Sequence, residues 1–238
     1  MKAKLSKFSA WISKNLYDIL LWAIAALNAL PILAPIMAKI GWYWPAKIIY
    51  FIYSFFCHQL HWRSLHVCDH QYGWCTRCTF IWLNILLAGI FVKIFKVKRI
   101  KWYWVLVLIA PVALDGIIQT VATIMGLTSF NGIYYMSNGL VRMITGTMFG
   151  LGFGLWIWTN MEDAVQTPTL EKKNQAKRPL AIWQIVIISA VLSALFYILA
   201  VFIWDRTSPN YRPANWLDFA VKTPVLQQDF LIRGKNTL

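Results

Sequence analysis

Ile182-Trp-Gln-Ile-Val-Ile-Ile-Ser-Ala-Val-Leu-Ser-Ala-Leu-Phe-Tyr-Ile-Leu-Ala-Val-Phe-Ile-Trp204 carries no charged side chain. At about 1.5 Å per residue, a helix of this length exceeds the roughly 30 Å hydrocarbon core of a bilayer. Four more segments are mostly apolar and long enough to span, each with one or two charged residues: Asp18–Met37, Cys75–Ile94, Trp104–Met125 and Asn138–Trp158. The composition agrees, with 59% hydrophobic and only 13% charged residues, against about 25% charged in an average soluble domain. The chain is therefore expected to be an all-α, polytopic integral membrane bundle of five or six spans. That excludes a cytosolic enzyme, a disordered chain and a disulfide mini-protein.

Pro45–Trp62 is the sixth candidate, a segment that either spans or re-enters. Tryptophans at 42, 44, 62, 74, 102, 104, 156, 158 and 204 mark span ends, as an interfacial aromatic belt requires. The first span lacks a small-residue cleavage site and reads as retained. Three regions follow: a basic N-terminal segment (1–17), a membrane bundle (18–204) and an extramembrane tail (205–238) with Pro209, Pro213 and Pro224.

Lysine and arginine outnumber aspartate and glutamate by 23 to 9. In a membrane chain this excess points to cytoplasmic loops facing anionic lipid rather than to nucleic acid. Lys96, Lys98, Arg99 and Lys101 crowd one loop, and Lys172, Lys173, Lys177 and Arg178 another. The two spans between them form a hairpin, so both loops share one side, assigned as cytoplasmic. The start of the Cys75 span, the 127–135 tip and the tail then lie outside. Lys2, Lys4, Lys7 and Lys14 place the N-terminus inside, which six full spans would contradict.

All four cysteines and all four histidines fall between Cys57 and Cys78: Cys57, His58, His61, His66, Cys68, His70, Cys75 and Cys78. Cys75-Thr-Arg-Cys78 is a C-x-x-C, whose spacing serves both metal sites and redox pairs. Two thiolates so spaced can take adjacent tetrahedral positions on one ion, and Cys57 with His58, His61, His66 or His70 can complete the set. Zinc is the expected ion. Disulfides or a thiol relay compete with this reading, as do free buried thiols beside interfacial histidines.

A second polar group lies at the same depth. Asp115 and Gln119 share one helix face, and Asn138, Arg142 and Thr145 share another. Ionisable residues inside a span are costly and mark function. An Asp115–Arg142 pair across the hairpin is expected, lining a cavity that opens outward. Gly146-x-x-x-Gly150 permits close helix packing, and Pro111 is expected to kink its helix.

Cys57-His58-Gln59, Arg63-Ser64 and Cys75-Thr-Arg-Cys78-Thr79, followed by Pro111, Asp115-Gly116, Gln119, Asn138, Arg142 and Thr145-Gly146, resemble the signature of the DUF2085 family of predicted membrane proteins. The resemblance covers roughly residues 45–155. It implies that Cys57, His58, Cys75 and Cys78 form the site. His61 and His70 are additional candidate ligands by their own chemistry and do not carry over from the family, and Arg63 is expected to join the polar cavity. Phe80 stands where the family usually carries glycine. The family itself implies no reaction.

Three functions fit these residues. The first is a metal-containing membrane protein: four firm ligands favour a structural ion, and three plus water favour catalysis. The second is a thiol oxidoreductase, similar in outline to the DsbB and vitamin-K-epoxide-reductase families, which would require a quinone. The third is a transporter or an accessory subunit of a membrane complex, with Asp115 and Arg142 as gating or relay residues and the tail binding a partner.

Overall fold

The computed structural model describes residues 2–59, 63–125, 138–164, 177–210 and Pro213. The order is α1 (Lys2–Lys39), α2 (Tyr43–Ser54), β1 (His66–Val67), β2 (His70–Gln71), α3 (Thr76–Ile94), β3 (Lys96–Val97), α4 (Trp102–Ile124), α5 (Gly139–Ala164), β4 (Pro179–Leu180) and α6 (Ile182–Thr207). Among the described residues, five helices are long and apolar enough to cross a membrane, over Lys14–Lys39, Thr76–Ile94, Trp102–Ala122, Gly139–Glu162 and Ile182–Thr207. The chain is an all-α polytopic membrane protein. Pro45–Trp62 supplies no span: α2 has 12 residues, about 18 Å of helix, too short for the hydrocarbon core. The boundary expected at residue 17 falls inside α1, which is continuous from Lys2. The tail beyond Pro213 lies outside the described residues.

Apolar side chains turned outward give the bundle its solvent. Leu106, Val107, Leu114 and Ile117 on α4, and Ile187, Val191, Leu195 and Leu199 on α6, are exposed. A water-soluble monomer rarely exposes faces this large; lipid is the medium that accepts them.

A glycine stripe brings α3 and α5 together. A Cβ at Gly146 would lie 2.7 Å from the Arg77 carbonyl oxygen, one at Gly150 would overlap that of Ile81, and one at Gly154 would lie 3.0 Å from the Ala88 Cβ. The G-x-x-x-G seam thus allows backbone to lie on backbone, where dispersion contacts replace the absent hydrophobic drive. Asn84, fully buried on α3, donates to Thr147 Oγ1 on α5 (3.3 Å) and Ser193 Oγ on α6 (3.0 Å). It ties three helices at one point.

The two ends of the bundle differ. At one end β3 pairs in parallel with β4, Lys96 opposite Pro179, so the first basic loop meets Lys177 and Arg178 of the second there; Lys172 and Lys173 lie outside the described residues. Asp18 pairs with Lys93 and Tyr17 donates to the Gly89 carbonyl (2.7 Å), so the N-terminal half of α1 lies at this same end. At the other end the β1–β2 hairpin docks on the last turn of α6. The Cys68 amide donates to Thr207 Oγ1 (3.1 Å) and the Asp69 amide to Ser208 Oγ (2.9 Å). Cys68 and Asp69 form the turn with φ of 54° and 64°, the left-handed pair that a tight two-residue hairpin demands.

Candidate metal centre

The site grows from two prolines. A helical carbonyl normally accepts from the amide four residues on, and proline has none. Pro31 therefore frees the Leu27 carbonyl, which accepts from Tyr53 Oη (2.9 Å) and Trp74 Nε1 (3.4 Å). Pro35 likewise frees the Pro31 carbonyl, which accepts the Gly73 amide (3.0 Å). A Cβ at Gly73 would meet Pro31 Cα at 3.2 Å, so this approach favours glycine. The freed carbonyls hold α2 and the Gly73–Trp74 segment against α1. Trp74, buried and edge-on to Tyr53 at 4.5 Å, fills the gap between them.

This clamp positions three sulfurs. Cys57 follows the end of α2, its amide bonded to the Tyr53 carbonyl (3.0 Å). Cys75 is the N-cap of α3 and Cys78 lies in its first turn. The Sγ atoms of Cys57, Cys75 and Cys78 all lie within 4.8 Å of one another. A tetrahedral ion with bonds near 2.3 Å holds its sulfurs about 3.8 Å apart, so the group suits one ion with small side-chain adjustments. The Cys75 amide donates to Cys57 Sγ at 3.2 Å, a contact that favours the thiolate form. Hydrogen bonds from Cys57 and Cys78 hold the Cys75 thiol well below its ordinary value. The Cys57 thiol, bonded to Cys75 and removed from solvent, is pushed up to about 11. The cluster thus favours sharing one negative charge, and a cation would replace the remaining protons.

Gln59, in the left-handed region with φ 46°, fastens the two cysteine-bearing segments together. Its Nε2 donates to the carbonyls of Tyr50 (2.9 Å) and Gly73 (3.0 Å), and its own carbonyl accepts from Gln71 Nε2 (3.1 Å). Only its place directly after Cys57-His58 marked it in the sequence.

The other candidates spread out. His58 is exposed beside Cys57 and His61 lies outside the described residues. His66 is fully buried and stacks 4.7 Å from Trp204. Cys68 sits at the hairpin turn, outside the sulfur group. His70 is half-buried on β2; burial pushes its imidazole down, Asp69 opposes this, and Lys39 adds to it.

The polar set forms a chain beside the sulfurs. Arg77, inside the C-x-x-C, pairs with Asp115. Gln119 Nε2 donates to Asp115 Oδ2 (2.7 Å), and Arg142 Nη2 donates to Gln119 Oε1 (3.0 Å). The expected Asp115–Arg142 connection thus runs through Gln119, and Arg77 joins it. Helical spacing could not reveal Arg77 as a member of this chain, because its partner Asp115 is distant in sequence. Asn138 and Thr145 serve α5 itself: Asn138 Oδ1 caps the Val141 amide (2.8 Å) and Thr145 Oγ1 donates to the Val141 carbonyl (2.8 Å). Arg63 is partly buried between Cys57 and the hairpin, and its guanidinium lies in the field of Cys75. Phe80 is fully buried, edge-on to Phe196 at 5.8 Å and near Tyr197. It extends the α3 core toward α6.

Fold and site define a multi-pass helical membrane protein with a partly buried cysteine cluster at one end of its bundle. The model of a family described as a predicted membrane protein, DUF2085, matches residues 57–156. An uncharacterized protein of Methanocaldococcus jannaschii is 33% identical over 149 residues, 58% of this chain and 86% of that relative. The chain belongs to the DUF2085 family. No solved structure matches it.

Proposed function

We propose that the protein is a thiolate metalloprotein of the membrane, with zinc on Cys57, Cys75 and Cys78 at the extracytoplasmic end and a ligand-binding polar cavity beside it. The convergence of three sulfurs from two chain segments supports this most directly. Three sulfurs leave one place in a tetrahedral sphere, for which His58 or His61, close to Cys57 in sequence, competes with water; His70 lies outside the sulfur group. The ion would hold the α2 end to the α3 N-terminus. Zinc bound by three residues plus water acts as a Lewis acid; bound by four it is structural.

The orientation follows from charge. The 96–101 loop, Lys177 and Arg178, and the Tyr17–Asp18 part of α1 share one end, which the positive-inside rule assigns to the cytoplasm, facing anionic lipid. With five spans the lysine-rich N-terminus belongs there too, and the sulfur cluster and tail belong outside.

The thiol-oxidoreductase reading, with a quinone as acceptor, has less support. A relay of two thiol pairs needs four sulfurs together, and Cys68 stands apart from the three that meet. Elemental analysis of the purified protein should give about one zinc per chain, with all four thiols titratable after chelation and denaturation. Two disulfides and no metal would replace the metal reading with the redox one. A role as a transporter or accessory subunit concerns the Asp115–Gln119–Arg142 chain, and would appear as Arg142→Ala losing solute or partner handling at unchanged metal content.

A further inference from the structure

α2 runs antiparallel to the last turns of α1. At its start the Trp42 amide donates to the Met37 carbonyl (2.9 Å), and near its end Tyr53 Oη donates to the Leu27 carbonyl (2.9 Å). Between these points Ala46, Ile49, Tyr50 and Tyr53 pack with Ala34 and Ala38 of α1, small residues that let two helices approach closely in a membrane. Asp18, paired with Lys93, marks the opposite end of the bundle. At about 1.5 Å per residue, Leu27 lies about 14 Å from Asp18 along α1, and Lys39 about 32 Å. A hydrocarbon core of roughly 30 Å therefore ends near Lys39, and its middle lies near Leu27. Asn28 Nδ2, donating to the Trp82 carbonyl (3.1 Å), keeps α3 in step with α1 at that depth.

The lower end of α2 is finished as a helix end in hydrocarbon must be. The last carbonyls of a helix have no water to meet there and need donors from the protein. The Tyr50 carbonyl accepts from Gln59 Nε2 (2.9 Å), that of Phe51 from Ser54 Oγ (2.7 Å), that of Ile52 from the Phe55 amide (3.4 Å), and that of Tyr53 from the amides of Phe56 (3.1 Å) and Cys57 (3.0 Å). The outward side is apolar: Trp44, Ile48, Phe51, Ile52 and Phe55 are exposed. Ser54 turns its hydroxyl back onto its own helix. Lys47 sits near the start of α2, at a height where its stem can carry the ammonium to the headgroups. Trp42 and Trp44 stand at the top, as an interfacial belt requires. Leu33 and Ile36 of α1 are exposed over the same heights, so the apolar surface of the span continues onto α2.

We propose that α1 and α2 form a re-entrant hairpin, with α2 sunk into the leaflet at the sulfur end and its outward side on phospholipid acyl chains. Water is a poor occupant, because a helix apolar on its packed and outward sides has no polar stripe to offer it. Acyl chains already meet Leu33 and Ile36, and they reach α2 without a break. The hairpin carries the sulfurs down with it. Gly73, just before Trp74 and Cys75, bonds to the Pro31 carbonyl, which lies about 12 Å below Lys39 along α1. The cysteine cluster therefore lies within the leaflet, below the headgroups. The inference rests on the spans alone and requires neither the metal nor the assignment of the sulfur end to the outside.

The test places the photoreactive residue p-benzoylphenylalanine at Phe51 or at Phe56, one site per full-length chain, and irradiates the cell membranes before purification. Phe56 is exposed and directly precedes Cys57, so it reports the depth of the cluster. Leu195, outward on α6, serves as the lipid-facing reference, and Lys98, in the basic loop, as the water-facing one. Mass spectrometry after ester hydrolysis distinguishes a fatty-acyl adduct from a glycerophosphate adduct. Fatty-acyl adducts at Phe51 and Phe56 in yields matching Leu195, and none at Lys98, are expected. Glycerophosphate adducts alone would lay α2 flat among the headgroups. Crosslinked chain dimers alone would put a second copy on this side, and yields no higher than at Lys98 would put water there. Each of these three results overturns the proposal. The same reagent at Ile48, exposed in the middle of α2, decides the matter if the two phenylalanine variants do not fold.

Discussion

Cys75 carries two tasks at once, as N-cap of α3 and as donor of an amide to the Cys57 sulfur. Replacing it should therefore affect metal content more than fold. Cys75→Ser is expected to lower zinc from about one to near zero per chain, while Cys68→Ser leaves it unchanged; elemental analysis of both variants decides. Because the Cys57 thiol sits near 11, protons compete strongly for the cluster. Zinc affinity should rise with pH, and acid should release the ion. His70 gives a second, separate pH effect. Its imidazole titrates lower in the folded chain than in the unfolded one, chiefly through burial. The stability this histidine contributes is present above its unfolded value of about 6.5 and lost as the pH falls below it. His70→Gln should flatten the acid limb of a melting-temperature profile, and an unchanged limb would assign that loss to the thiols.

Helices here are defined by what they cannot bond as much as by what they can. Pro31 and Pro35 leave two α1 carbonyls open, and the segment before the C-x-x-C takes them. Pro35→Ala restores an internal donor to the Pro31 carbonyl. The Gly73 amide should then exchange faster with deuterium, and zinc should bind more weakly. The glycine seam offers a paired comparison. A Cβ at Gly150 overlaps the Ile81 carbonyl oxygen, whereas one at Gly116 meets nothing within 4 Å. Gly150→Ala should destabilise by about 1–3 kcal/mol. Gly116→Ala should be neutral or stabilising by up to about 1 kcal/mol, the intrinsic helix preference for alanine. Equal melting temperatures for the two variants would contradict the α3–α5 contact.

At the scale of the whole molecule, the bundle separates charge along its long axis. Basic loops and the beginning of α1 meet at one end, and sulfurs with arginines at the other. Pro209, just past α6, and Lys98, after β3, are both exposed and mark the two ends. A membrane-impermeant thiol reagent applied to intact cells should label Pro209→Cys above the level of the parent chain and leave Lys98→Cys at that level. The reverse pattern would invert the assigned orientation. The five spans were legible in the sequence because each is an uninterrupted local run whose hydropathy needs no neighbour. The 45–62 segment was ambiguous for the same reason, since its apolar stretch has intermediate length. The structure closes α2 after Ser54 and turns the chain back toward α1.

The sequence by itself determined the solvent of this protein, the number of firm spans and the short stretch that holds every thiol and imidazole, because these properties reside in contiguous residues. It also marked Asp115, Gln119 and Arg142 as a polar set, through helical spacing alone. Among the seven described cysteines and histidines, tertiary structure decided which three share one small volume, and it made Arg77 the partner of Asp115. Those choices depend on carbonyls freed in α1 and on a glycine seam between α3 and α5. Both are contacts between segments distant in sequence, set by steric fit and by hydrogen bonds that no local run of residues records.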